Sequence, residues 1–222
     1  MSDPPPSTPL VPESSYTRDR IVALSDGVFS IAITLLAFAI VPTIASSVTG
    51  PAFGAELAAR VPDFVTFVVT FLVIGRFWDT HRIFFRYISV GDYRVSWLNL
   101  LVLLWITLLP ASEVLLRSHW QEPVAITVYA LNLVLAMASY WALWRYVSAS
   151  KYVREEALSV ASNLHIERFV GLSVLGFALA IPIAFVSPLL ALVVVVLTTV
   201  FARTIARRVL TTSAAPPGGS GS

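Results

Sequence analysis

Two titratable side chains stand inside otherwise apolar stretches of this chain, where a proton or a cation could be handled. One is Asp26, which follows Arg20 and Ser25; the other is His81, set among Trp78, Arg82 and a run of phenylalanines. Ionisable groups within apolar helices are costly, so they pair with something or line a path. The candidate partners of Asp26 are Arg20, Trp78, His81, Arg82 and Asn99. An acid and an imidazole at this depth could relay protons. The plainer use of Arg20 and Asp26 is to anchor a helix end, and that of His81 is to bond to backbone. Glu113 reads as an interfacial acid. Thr127, Asn132 and Ser139 read as hydrogen bonds between helices.

Other chemistries find no residues to carry them. The chain has no cysteine, which excludes thiol catalysis, iron–sulfur clusters and cysteine zinc sites. Its three histidines, His81, His119 and His165, are too scattered for a metal cage. There is no P-loop, no G-x-S-x-G and no H-E-x-x-H. The polar groups do not gather a nucleophile, a base and an oxyanion site, so an enzyme is not expected, nor any cofactor. Val48-Thr49-Gly50 echoes part of a carbonyl selectivity filter, but nothing before it could be a pore helix.

The elements that position these groups follow from composition. Of 222 residues, 57% are hydrophobic and 13% charged, against about 25% charged in an average soluble domain. A soluble fold of this length cannot hide so much apolar surface. The net charge of +2 gives no reason to invoke nucleic acid. Residues 1–15, rich in Pro and Ser, predict a disordered tail. Residues 211–222, ending in APPGGSGS, predict a flexible tail or linker. The domain between them, residues 16–210, holds six apolar segments: 20–41, stopped by Pro42; 55–87, read as one long helix; 95–116; 124–146; 166–186; and 188–210. Each is long enough for a helix that crosses a bilayer, which needs roughly 20 residues. None shows the alternation of a barrel strand. Pro182 and a few glycines are the only helix interruptions expected. The fold class is therefore all-α, with six transmembrane helices.

Charge orients the helices. With six crossings, thirteen of the fifteen Lys and Arg fall on one side and only Arg60 and Arg117 on the other. The positive-inside rule then places both termini in the cytoplasm. Arg203, Arg207 and Arg208 are spaced to snorkel toward head groups. Trp97, Trp120, Trp141 and Trp144 fall near helix ends, as an aromatic belt requires.

On the first segment, Ile31, Leu35 and Phe38 share one stripe at i, i+4 and i+7, with Gly27 below and Thr34 beside it. Asp26 lies roughly 140° around the helix from Ile31. The acid should face the polar network of its own subunit, and the stripe a neighbouring helix or a pore.

The segment Arg20-Ile-Val-Ala-Leu-Ser-Asp26, followed by GVFSIAITLL, resembles the R-x-x-x-F-S-D signature that opens the first helix of the lysosomal potassium channel family (transmembrane protein 175), in its prokaryotic single-repeat branch. Phe77-Trp78, His81-Arg82, Asn99-Leu100-Leu101 and Leu109-Pro110 extend the resemblance over residues 16–116. The resemblance implies a potassium-permeable channel of the cell membrane, passing other monovalent cations less well. It implies a homotetramer of six-helix subunits with the pore on its axis. Ile31, Leu35 and Phe38 would then form hydrophobic rings in place of a carbonyl filter, flanked by Gly27 and Thr34. Arg20, Leu24, Ser25 and Asp26 would hold the first helix through Trp78, His81 and Asn99. Leu24 stands where the signature has Phe, and Phe38 where Leu is usual. A proton-conducting or proton-coupled transporter using Asp26 and His81 is the alternative.

Overall fold

The structure is a computed structural model that describes residues 13–44, 50–89, 91–153 and 160–213, with side chains described at 17–40, 50–51, 53–89, 91–153 and 166–202. Seven helices follow one another: α1 (Glu13–Ile44), α2 (Ala52–Ala59), α3 (Val61–Tyr87), α4 (Tyr93–Ser118), α5 (Pro123–Ala149), α6 (Val160–Ala184) and α7 (Pro188–Ser213). Five stretches among the described residues are long and apolar enough to cross a membrane: Thr17–Ile40, Val61–Tyr87, Tyr93–Ser118, Pro123–Ala149 and Ile166–Ala184. The corresponding part of α7, Pro188–Ala202, is apolar but shorter.

Several boundaries differ from the sequence expectation. The segment 55–87 is not one helix. It breaks at Arg60 (φ −89°, ψ 0°), leaving α2 as a separate short helix. Pro62, in the first turn of α3, is the cause: proline lacks an N–H and its ring clashes with the preceding turn, so it opens a helix readily but does not sit inside one. Pro42 does not end α1, whose backbone stays helical to Ile44, and α1 begins at Glu13, within the stretch assigned to the tail. Residues 1–12 and 214–222 lie outside the described residues, as do the side chains of His165, Arg203, Arg207 and Arg208. Pro110 likewise lies inside a helix, as Pro42 and Pro182 do.

The packing order follows the chain from α4 onward: α4 on α5, α5 on α6, and α6 on α7, with α7 also touching α3 and α5. α5 is the central element. Its Tyr129, Leu133, Ala136, Tyr140 and Leu143 are fully buried. The two phenols are not left unpaired in that apolar core. Tyr129 shares a 3.0 Å hydrogen bond with Thr70 of α3, and the Tyr140 hydroxyl donates to the Phe77 carbonyl at 3.2 Å. Trp144 is part of this core, packed on Phe84 and Tyr87, and not part of a surface belt. The kink-prone stretch of α4 at Pro110 is stitched by Asn132 of α5. In the amide orientation that satisfies both ends, Asn132 donates to the Trp105 carbonyl (3.1 Å) and accepts from Ser112 Oγ (3.1 Å) and Leu109 N (3.3 Å). Thr127 and Ser139, expected to bond between helices, donate instead to carbonyls four residues back in α5.

α1 stands at the edge of this bundle, against α3 and α4. Its start is pinned by the α3–α4 turn. A Cβ at Gly91 would lie 2.8 Å from the Arg18 backbone nitrogen, so only glycine lets the turn pass this close. Asp92 then caps α4, accepting from Val95 N at 2.7 Å, and also accepts from the Tyr146 hydroxyl of α5.

Candidate functional site

α1 has two apolar faces. One carries Ile21, Ser25, Phe29, Ala32, Leu36 and Ile40, all buried against α3 and α4. Their spacing of three and four residues is the stripe of a helix packed along one side. On the other face Ile31 is 60% exposed, Leu35 50% and Phe38 70%, whereas Leu36, one residue along, is 0% exposed. Gly27 and Thr34 share that open face, and the Thr34 hydroxyl turns back to the Ser30 carbonyl. Leu24 is exposed as well. Its departure from the aromatic of the signature therefore changes the outer surface of the subunit, not its core.

The N-terminal half of α1 is tied to its neighbours by hydrogen bonds of two kinds. Ser25, His81 and Asn99 are all buried and form one chain. The Ser25 hydroxyl donates to the Ile21 carbonyl (2.8 Å), Asn99 Nδ2 donates to Ser25 Oγ (3.0 Å), and Asn99 Oδ1 faces His81 Nε2 (2.9 Å). The direction is forced. Ser25 spends its only proton on the backbone, so the asparagine must present its NH2 to Ser25 and its oxygen to the imidazole. His81 therefore carries its proton on Nε2. The ring is held by Phe85, stacked at 4.4 Å between centroids, and by the edge of Phe29 at 5.6 Å.

Asp26 belongs to a separate pair. The Trp78 indole N–H donates to its carboxylate at 3.0 Å. Of its five candidate partners, Trp78 is therefore bonded to it, whereas Asn99 and His81 are taken up with each other. Arg82 lies over the Trp78 ring at 5.4 Å while bonding Asp79 at 2.9 Å. Asp26 is exposed at the surface of the subunit and not enclosed within it. Arg20 is likewise exposed. Asp26, Trp78, His81 and Arg82 line an open cleft of about 310 Å³ between α1 and α3, together with Arg18 and Arg86.

At the other end of α1 lies a cluster that the sequence reading missed. Glu113, expected at an interface, is 1% exposed. It accepts from Thr66 Oγ1 of α3 (3.2 Å) and pairs with Arg117 at 3.7 Å. Arg117 also reaches Asp63 of α3 (3.8 Å) and donates to the Ala39 carbonyl of α1 (3.4 Å). Asp63 pairs in turn with Arg60. The signal was available: Glu113 and Arg117 stand at i, i+4, and the two basic residues segregated from all the others, Arg60 and Arg117, each have an acid within helical reach. Among the described residues no group of acids and histidines could hold a metal ion.

Comparison with known proteins places these features in a family. Residues 20–110 match the family described as the endosomal/lysosomal potassium channel TMEM175. A potassium channel of Streptomyces collinus is 33% identical over 172 residues, spanning 76% of this chain and 82% of that protein. A potassium channel of Chamaesiphon minutus is 33% identical over 180 residues, spanning 76% and 86% respectively. The fold is similar to the crystal structure of a lysosomal potassium-selective channel TMEM175 homologue from Chamaesiphon minutus. The TM-score is 0.68 at 24% identity, covering 85% of this chain and 97% of that one. Relatives bearing these names are channels, a class without enzymatic chemistry.

Proposed function

The chain belongs to the TMEM175 family, and on that footing we propose that it is a multi-pass membrane channel passing potassium down its gradient. Its six crossings are α1 and α3 to α7, with both termini in the cytoplasm of a cell-membrane protein. Four copies surround a common axis, and one α1 from each lines the pore. Ile31, Leu35 and Phe38 form its rings, with Gly27 and Thr34 beside them. Ser25, Asn99 and His81, together with Asp26 and Trp78, fix the helix from behind, and Arg20 and Leu24 complete the motif segment.

The observation that carries this reading is the second apolar face of α1. Within its own chain α1 packs against α3 and α4, and the opposite face is left open with three large side chains on it. A subunit of this size has no room for a private aqueous pore, whereas rotational symmetry turns each open side chain into a ring. A narrow ring of isobutyl groups offers potassium no replacement for its hydration water, so it gates by dewetting and needs no plug. Other monovalent cations pass according to size and ease of dehydration.

The test is flux from potassium-loaded liposomes, with sodium and a large organic cation substituted in turn. Leu35→Ser should raise basal potassium leak and weaken discrimination among cations at matched channel density. Leu36→Ser should instead destabilise the subunit and leave conduction per assembled channel near wild type. Equal leak in Leu35→Ser and wild type would return the stripe to ordinary helix packing. Flux that requires a pH gradient would point to a proton route through Asp26 and His81.

A further inference from the structure

The C-terminal end of α1 is held in a different way from the rest of it. Pro42 brings no N–H to close the helical turn onto the Phe38 carbonyl. The next carbonyl, that of Ala39, accepts from Arg117 Nη2 of α4 at 3.4 Å. A guanidinium there also faces the negative end of the helix dipole of α1. Arg117 is itself held on two sides, by Glu113 of its own helix and by Asp63 of α3. Arg60 also pairs with Asp63, and Thr66 donates to Glu113.

We propose that Arg117 is a positioning residue for the outermost constriction of the pore. By clamping the backbone next to Phe38, it sets how far the four phenylalanines lean toward the axis. The proposal rests on the reading of α1 as the pore helix. A long side chain tethered to two carboxylates is well suited to this task. The ends of the guanidinium fork are fixed by charge, and the remaining N–H groups are left to aim at a carbonyl. The register of Phe38 then depends on α3 and α4 and not on the side chain at position 39.

The test is the permeability of tetramethylammonium relative to potassium in phosphatidylcholine–phosphatidylglycerol vesicles, read alongside thermal stability and oligomer size. In Arg117→Ala the ratio should rise by roughly tenfold or more, the scale of one charge-assisted hydrogen bond. Arg117→Lys, which keeps a charged donor, should recover part of it. A merely structural arginine would lower stability in both variants and leave the ratio untouched. Asp63→Asn and Glu113→Gln keep the arginine but loosen its anchors, and should move the ratio the same way by less. They carry the test where Arg117→Ala does not assemble. A wild-type ratio in assembled Arg117→Ala, or in both anchor variants, overturns the clamp. Phe38→Ala separates the two levels of the argument. If it shifts the ratio while the Arg117 and anchor variants do not, the clamp alone fails. If it leaves conduction and ratio unchanged, α1 does not line the pore and the clamp falls with that reading.

Discussion

The two ends of α1 are fastened by opposite means. At the N-terminal end, side chains of α1 meet side chains of α3 and α4: Ser25 meets Asn99, and Asp26 meets Trp78. At the C-terminal end, α1 contributes, among the described residues, a carbonyl, and the fastening groups Arg117, Glu113 and Asp63 belong to α3 and α4. The first arrangement is a set of directed hydrogen bonds, nearly all neutral, that specifies residue types on both partners. The second is an ion cluster that accepts whatever residue stands at position 39. One end is therefore locked by identity and the other by charge.

Substitutions can break or sharpen this contrast. The largest expected effect is at Asn99. Replacing it by leucine leaves the buried His81 Nε2–H without an acceptor and Ser25 with only its bond to the Ile21 carbonyl, which should cost about 2–4 kcal/mol in total. Thermal unfolding of the purified protein in detergent reads this directly. A loss below the error of the measurement would show that the buried chain contributes nothing to holding α1. Next is Asp26→Ala, expected to cost about 1.5–3 kcal/mol for one hydrogen bond to a charged acceptor. Asp26→Asn keeps an acceptor oxygen and should cost less. Trp78→Phe should match Asp26→Ala, and the double variant should add little, because both remove the same contact. Full additivity would mean that the pair is not coupled.

At the opposite end the effects should be smaller. Glu113→Gln keeps an acceptor for Thr66 and leaves Arg117 paired with Asp63, so the loss should stay at about 1–1.5 kcal/mol, short of the ~3–5 kcal/mol of a buried pair broken outright. The smallest is Ala39→Ser. Since Arg117 reaches the backbone there, stability should change by no more than about 0.5 kcal/mol. A large loss at position 39 would mean that its side chain, not its carbonyl, is what the cluster recognises.

The same contrast explains what could be seen in the sequence. Side-chain pairs leave marks at both partners, so Ser25, Asp26, Trp78, His81 and Asn99 were all identifiable as a network, although not which would pair with which. Asp26 has five plausible partners by depth alone, and only the packing angle of α3 decides for Trp78. A carbonyl leaves no mark, so the contact between Arg117 and Ala39 was invisible, and Glu113 looked like an ordinary interfacial acid. The open stripe of Ile31, Leu35 and Phe38 was legible from helical period, yet the face behind it, built on Phe29 and Leu36, is equally apolar. Periodicity alone could not say which face was buried. Helix placement followed hydropathy closely, and the misreadings gathered at prolines. Pro62 splits a segment that hydropathy runs together, whereas Pro42 does not end α1, and Pro110 stays within α4 where Asn132 reaches into the neighbouring turn.

The placement of α1 at the edge of the bundle has a consequence for the order of synthesis. α1 leaves the ribosome before α3 and α4, which are its packing partners. Asp26 precedes Trp78 by 52 residues, a wait of about 3–10 s at cellular elongation rates of ~5–20 residues per second. Ser25 waits longer, with Asn99 a further turn of the chain away on α4. During that interval a carboxylate and an apolar helix with two adhesive faces sit in the bilayer with nothing of their own chain to meet. Docking against α3 and α4 then covers one of those faces and leaves the other open. Folding of the chain thus decides which face of α1 is buried and which stays open.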